Sequence, residues 1–335
     1  MRRFFYLILT ADHACEKSIE LAVESRGKLR PVFVRSIGLF ALMLAGISVS
    51  GCSVFIPEPP APTLHSTSTP TATSTLSPTS TPAPPNPTPA PTASPTATPQ
   101  FESIEIIGTS VAGRPLVVHS FGSGPHERMI VAGIHGGYEW NTIALADQLI
   151  AHLRSHPDVI PPDTTLHILR SLNPDGEARG QDIYARANEN NVDLNRNWPS
   201  GWLEDWPPEG CWNALLPLSG GTHAGSEPET RALLTYLENH SVEALINYHS
   251  AALGIFPGGQ PPDPASLDFA EAIARVSDYP YPPIDTGCQY SGQLIDWASD
   301  HGIAAVDIEL RTHTDTDFAL NLPILDVLLS WSFSP

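Results

Sequence analysis

Two histidines and a glutamate give the first sign of chemistry in this chain. His135 and Glu139 stand just past one apolar run, and His249 closes another about 110 residues later. Imidazole and carboxylate are donors of a catalytic zinc, which takes three protein ligands and keeps one position open for water. Each residue alone is a weak signal, because a histidine at a strand end is more often packed or solvated than metallated. Their company carries the reading, and that company depends on the elements that hold it.

Arg128 to Gly133 is a short apolar run stopped by Ile134-His135-Gly136-Gly137, and Trp140 to Leu153 then places Ile143, Ala146, Leu149, Ile150 and Leu153 at helical spacing. A strand, a glycine turn and a helix make an α/β unit. Leu166 to Leu172 predicts a second strand, broken by the turn sequence Asn173-Pro174-Asp175-Gly176. Ser226-Glu227-Pro228-Glu229 has the pattern of a capping box opening a helix to about Glu238. Val242 to Tyr248 predicts a strand ending at His249, and Ile303 to Leu310 a strand ending on Glu309. Helices are expected over 266–276, 292–299 and 322–331. Polar residues thus recur where strands end, which is where open α/β sheets place their sites.

Composition divides the chain into three: a leader over 1–52, a tether over 53–100 and a folded domain over 101–335. The leader holds seven Lys and Arg against four Asp and Glu. Within it, the apolar run from Ser36 to Ser50 has the length of a signal-peptide core and ends in Val49-Ser50-Gly51-Cys52. That order resembles a bacterial lipobox, which implies a lipid-modified Cys52, membrane anchoring and an extracytoplasmic, bacterial-surface location; an ordinary secretory signal is the alternative. Residues 1–30 carry acids such as Glu16, Glu20 and Glu24, unusual for such a signal, and suggest a true start further downstream. Residues 53–100 carry one charge, Glu58, and 14 of the 35 prolines, the composition of an extended, disordered tether. At ~3.1 Å per residue it reaches on the order of 150 Å. Residues 101–335 hold ten basic side chains, all arginine, against 31 acidic ones. So negative a domain repels a phosphate backbone, which excludes a nucleic-acid partner.

Within that domain Asn173-Pro174-Asp175-Gly176, Val192-Asp193-Leu194-Asn195-Arg196-Asn197, Tyr248-His249-Ser250 and Ile308-Glu309-Leu310-Arg311 occur in this order. With His135 and Glu139 they resemble the zinc metallocarboxypeptidase family, the carboxypeptidase A-like metallopeptidases, across 101–335. The resemblance implies an α/β fold: a mixed, mainly parallel sheet of about eight strands with helices on both faces. It implies one Zn2+ held by His135, Glu139 and His249, and a glutamate base, Glu309, acting with zinc-activated water. Arg186 matches the arginine that stabilises the oxyanion, Asn195 and Arg196 the pair that binds the substrate's terminal carboxylate, and Asp193 the acid behind the first zinc histidine. These roles agree with general chemistry. A carboxylate beside a metal-lowered water accepts its proton at neutral pH, a carboxylate behind an imidazole fixes its tautomer, and an arginine fork selects a free carboxylate.

Two departures stand out. His135-Gly136-Gly137-Tyr138-Glu139 is one residue longer than the usual His-x-x-Glu, yet Glu139 is the sole acid between His135 and Asp147. Paired glycines admit an enlarged turn; the rival reading is a lost metal and a non-catalytic peptide-binding domain. Tyr290 lies near the place of the family's terminus-covering tyrosine but out of register, so it either covers the substrate or packs. Ile295 corresponds to the base of the specificity pocket and suits apolar C-terminal residues, while Asp296 keeps basic ones open. Cys211 and Cys288 either pair or stay as free thiols. Of the remaining histidines, His167 and six others show no partner pattern, and His313 follows Glu309 closely enough to line the same cleft. The expected activity is hydrolysis of the C-terminal bond of peptides by a monomer, with a murein peptide amidase of the same family as the alternative.

Overall fold

The computed structural model describes residues 101–204 and 218–333. The leader, Cys52, the tether and Cys211 lie outside the described residues. No helix among those described is long and apolar enough to cross a membrane.

Seven strands form one sheet: β1 (Glu102–Thr109), β2 (Pro115–Gly122), β3 (His126–Val131), β4 (Thr164–Leu169), β5 (Val242–Ser250), β6 (Ile255–Pro257) and β7 (Ala304–Leu310). Their spatial order is β1-β2-β4-β3-β5-β7-β6. The inner four, β4-β3-β5-β7, run parallel, whereas β1, β2 and β6 join antiparallel. The sheet is mixed, as expected, but the described residues give seven strands rather than eight, and parallel pairing is confined to the centre. The three antiparallel strands have no crossover helix to announce them. β1 is an edge strand, largely exposed, Ile104 and Ile106 included, and its pattern carries no buried face to read.

Among the described residues six α-helices accompany the sheet: α1 (Trp140–Ser155), α2 (Pro174–Arg179), α3 (Pro228–Glu238), α4 (Pro264–Ala274), α5 (Leu294–Asp300) and α6 (Phe318–Ser330). Two apolar layers show how they divide. On one face Ile130, Ile168, Ile246 and Ile308 pack with Leu145 and Leu149 of α1, Phe269 of α4 and Leu325 of α6. On the other, Met129, Val131, Leu169 and Leu245 pack with Leu233 of α3 and Leu294 and Trp297 of α5. Met129 and Ile130 fall in different layers because successive strand residues point to opposite faces. The inner strands therefore read as continuous apolar runs, buried on both sides.

Two local expectations change. Asn173-Pro174-Asp175-Gly176 opens α2 instead of forming a free turn: Asn173 Oδ1 accepts from Gly176 N at 2.8 Å, with Pro174 at the first helical position. At α3 the capping box does not form. The N-cap is Glu227, with no side-chain cap, and Ser226 Oγ donates to Glu227 Oε1 at 2.6 Å.

Candidate active site and metal centre

The carboxyl ends of β3 and β5 hold the cluster. After β3 the chain turns through a short 3-10 segment, Gly136–Glu139, before α1. Gly136 has φ +52°, a left-handed conformation that suits glycine. Gly137 is required for space, since a Cβ there would lie 1.7 Å from the Gly180 carbonyl oxygen. The longer His135–Glu139 interval is thereby folded into a tight turn against α2, and both side chains point inward and are buried.

His135 Nδ1 lies 2.8 Å from Glu139 Oε1, His249 Nδ1 lies 3.1 Å from Glu139 Oε2, and the two Nδ1 atoms are 3.1 Å apart. Ligands of a tetrahedral zinc, bound at 2.0–2.1 Å, sit about 3.3 Å from one another. The donor set is also the right one, two imidazoles and a carboxylate. A further observation agrees: Glu309 Oε2 is buried beside this cluster with no hydrogen-bond partner. Glu309 is the register partner of His249 across β5 and β7, which sets it next to the three donors. These residues fit a zinc ion.

Carboxylates stand behind both rings. His135 Nε2 is 3.2 Å from Asp193 Oδ1, and His249 Nε2 is 3.5 Å from Asp307 Oδ1. Asn247 Nδ2 donates to Asp307 Oδ1 at 2.8 Å and touches His249 Nε2 at 2.7 Å. Asp307 and Asn247 were not singled out in the sequence. The signal was present: each lies two residues before a site residue on its strand, hence on the same face. Asp193 also caps the 3-10 turn Leu194–Arg196, its Oδ1 accepting from Asn195 N at 2.9 Å.

Electrostatics follow this geometry. Burial opposes ionisation of Glu139, but the charge and hydrogen bonds of His135 and His249 outweigh it and hold its carboxyl well below the usual range. Burial likewise opposes Asp193, which Arg186 and then His135 hold well below. For His249 burial is overcome by Asp307 and Glu139, which raise it well above the ordinary imidazole value. Glu309 goes the other way. Burial, reinforced by the negative charge of Glu139, pushes it up to about 8.

Arg186 Nε donates to Asp193 Oδ2 at 2.9 Å and its NH1 to Glu139 Oε1 at 3.4 Å, so its guanidinium reaches the carboxylate of the donor set. Asn173 Nδ2 holds the Arg186 carbonyl at 3.1 Å, tying the Asn-Pro-Asp-Gly segment to the site. Asp175 of that segment is structural, accepting from Ser110 Oγ, Ala112 N and Arg114 NH1. Arg196 is buried; its NH1 donates to Asn195 O at 2.6 Å and its guanidinium lies 5.1 Å from the centre of the Tyr290 ring. The Asn195 carboxamide is spanned between His249 Nε2, at 3.3 Å, and Leu294 N, which donates to its Oδ1 at 3.0 Å.

Tyr290, Ile295 and Asp296 line a cavity of about 570 Å³ with Phe256, Gln260 and Gln293. Asp296 accepts from Gly259 N, Gln260 Nε2 and Gln293 Nε2 at 2.7–3.0 Å, and burial raises its pKa. Its charge is thus largely committed within the protein. Cys288, on the same rim, is disulfide-bonded. His313 lies against Ser250 Oγ at 3.1 Å and the Tyr138 ring, one residue beyond His249.

Residues 93–323 match the zinc carboxypeptidase family. Murein peptide amidase A of Escherichia coli strain K12 is 27% identical over 214 residues, covering 61% of this chain and 80% of its own. Carboxypeptidase A4 of Mus musculus is 27% identical over 248 residues, covering 64% and 58% respectively. The crystal structure of murein-tripeptide amidase from Escherichia coli O157 superposes with a TM-score of 0.52 at 25% identity, over 72% of this chain and 96% of that one. The chain belongs to the zinc carboxypeptidase family. It is a zinc metallopeptidase by that membership.

Proposed function

We propose that this protein removes the C-terminal residue of peptides, with one zinc held by His135 Nδ1, Glu139 and His249 Nδ1. The observation that carries the reading is the buried Arg196 guanidinium, placed over Tyr290 on the rim of the cavity lined by Ile295. A fixed cation beside an apolar-based cavity recognises a carboxylate whose side chain enters that cavity. When bound, zinc supplies Lewis acidity at the scissile carbonyl and lowers the pKa of water.

The protein residues take the following parts. Glu309, adjacent to His249 across the sheet and favoured as a carboxylate when a dication offsets the charge of Glu139, accepts the proton of the attacking water and passes it to the leaving amine. Arg186, reaching toward Glu139, donates to the oxygen on which negative charge develops. Asp193 and Asp307 keep the two imidazoles oriented with Nδ1 inward. Arg196 with Asn195 receives the terminal carboxylate; the Asn195 amide turns from His249 to do so. Tyr290 closes the rim, and Ile295 favours apolar C-terminal residues, since Asp296 is already satisfied by three donors.

A second reading is hydrolysis of murein peptides. It is favoured by one observation: the sequence match covers 80% of murein peptide amidase A of Escherichia coli strain K12 but 58% of the mouse carboxypeptidase. Lipidation at Cys52, the tether and a monomer at the bacterial surface would suit that substrate. Purified protein assayed on C-terminally free peptides, their amidated forms and murein tripeptide separates the two. Turnover of ordinary free peptides, with amidated ones refused, supports the carboxypeptidase; turnover of the murein tripeptide alone overturns it.

A further inference from the structure

At the opposite end of the same strands lies another convergence of ligating groups. Glu127 is the second residue of β3, His167 lies in β4, and His240 stands between α3 and β5. Strand register explains the meeting. Glu127 pairs with Thr165 on one side and Val242 on the other, so His167 and His240 flank it two residues away. The geometry points to a second divalent-metal site, formed by His167 Nε2, His240 Nδ1 and Glu127 Oε2 and suited to zinc.

The distances support three-donor coordination. His240 Nδ1 is 3.2 Å and His167 Nε2 is 3.7 Å from Glu127 Oε2, and all three ligand atoms lie within 4.8 Å of one another. Those two separations bracket the roughly 3.3 Å expected around tetrahedral zinc. Two imidazoles and a carboxylate form a donor set that zinc accepts, with the fourth position left to water.

An independent observation comes from His167 itself. The residue is 3% exposed, and its Nε2 is buried with no hydrogen-bond partner. Its other ring nitrogen is well served, with Ser120 Oγ at 2.8 Å and the Tyr236 hydroxyl at 3.0 Å from Nδ1. With Nδ1–H donating to one of these hydroxyls, Nε2 keeps its lone pair, the tautomer that a ligating histidine uses. An ordinary hydrogen bond to Glu127 does not explain the arrangement, because 3.7 Å is beyond hydrogen-bond reach. Ser241 N, donating to Glu127 Oε2 at 2.8 Å, and the stacked Tyr236 and His240 rings, 4.1 Å apart, steady the other two donors. A metal here ties α3 and the entry of β5 to β3 and β4, so its role is structural.

Metal analysis of the full chain tests this. The protein is saturated with Zn2+, freed of excess and its zinc content measured beside His240→Asn and Glu127→Gln, two partly exposed positions at which refolding is checked by circular dichroism. The expected result is a loss of one zinc per chain in each variant, with peptide hydrolysis within twofold of the parent. In His135→Ala, where the catalytic centre is broken, Zn2+ should still raise the melting temperature, and His240→Asn added to it should abolish that rise. Zinc content unchanged by both His240→Asn and Glu127→Gln overturns the site, whatever the total.

Discussion

His249 Nε2 faces Asp307 Oδ1 at 3.5 Å, the relationship that His135 Nε2 has with Asp193 Oδ1 at 3.2 Å. Both rings thus turn Nδ1 toward Glu139 with a carboxylate behind them. Asp307→Asn should weaken zinc binding at this centre by about 10- to 100-fold, the usual effect of removing such a partner. Competition against a chelator measures it; unaltered affinity would leave Asp307 as a partner of Asn247 only.

Glu309→Gln keeps the shape of the site and removes the proposed proton acceptor. Turnover should fall by about 10²- to 10⁴-fold. Zinc content should stay as in the parent, because Glu309 supplies none of the three donors. A variant that retains parental kcat would assign the proton transfer elsewhere.

Arg196→Met removes the cation beside the cavity. Hydrogen bonds to charged groups contribute about 1.5–3 kcal/mol, so kcat/KM on free C-termini should drop about 10- to 100-fold. Arg196→Lys should recover only part of this, lacking the planar fork. If amidated and free peptides are cleaved equally by the parent, Arg196 does not read the terminus.

In metal-free protein the pH dependence of stability has a defined sign. Glu309 titrates near 8 when folded, against an ordinary 4.5, so between these values the folded state holds a proton that the unfolded state has released. Stability therefore falls as pH rises from about 5 to 8. His249, also raised, acts in the same direction, its contribution being complete below its ordinary 6.5 and lost at higher pH. Glu139 and Asp193 are lowered and lose their contributions only in acid, below this window. Denaturant midpoints of chelated protein should decline across the window, and less steeply in Glu309→Gln. Equal slopes would contradict the assignment.

Gly137→Ala brings a methyl group to 1.7 Å from Gly180 O, with the Gly176 carbonyl oxygen at 2.9 Å. Backbone on both sides must move, and a loss of about 3 kcal/mol or more follows, as for severe overpacking. Thermal melting should show it, together with weaker zinc retention.

Much of this was legible in the chain itself. The four parallel strands announce themselves as apolar runs, and His135, Glu139, His249 and Glu309 sit where those runs end. The flanking strands were not legible: β1 is exposed on most positions, and β6 is three residues long. Asn173-Pro174 was ambiguous because the same residues start helices and make turns. His167 gave no local hint, since its partners come from β2, β3 and the end of α3, a juxtaposition that register creates. Asp296 shows the reverse case: a carboxylate that suggested basic specificity is satisfied by Gln260, Gln293 and a backbone amide.

The position of β7 has a consequence for the order in which the site is assembled. It enters the sheet between β5 and β6 yet comes after both in the chain. Glu309 therefore arrives with the last of the described strands. Until β7 is inserted, a nascent chain can bring His135, Glu139 and His249 together but has no carboxylate from that strand beside them, so the three donors can meet before the group that faces them is in place.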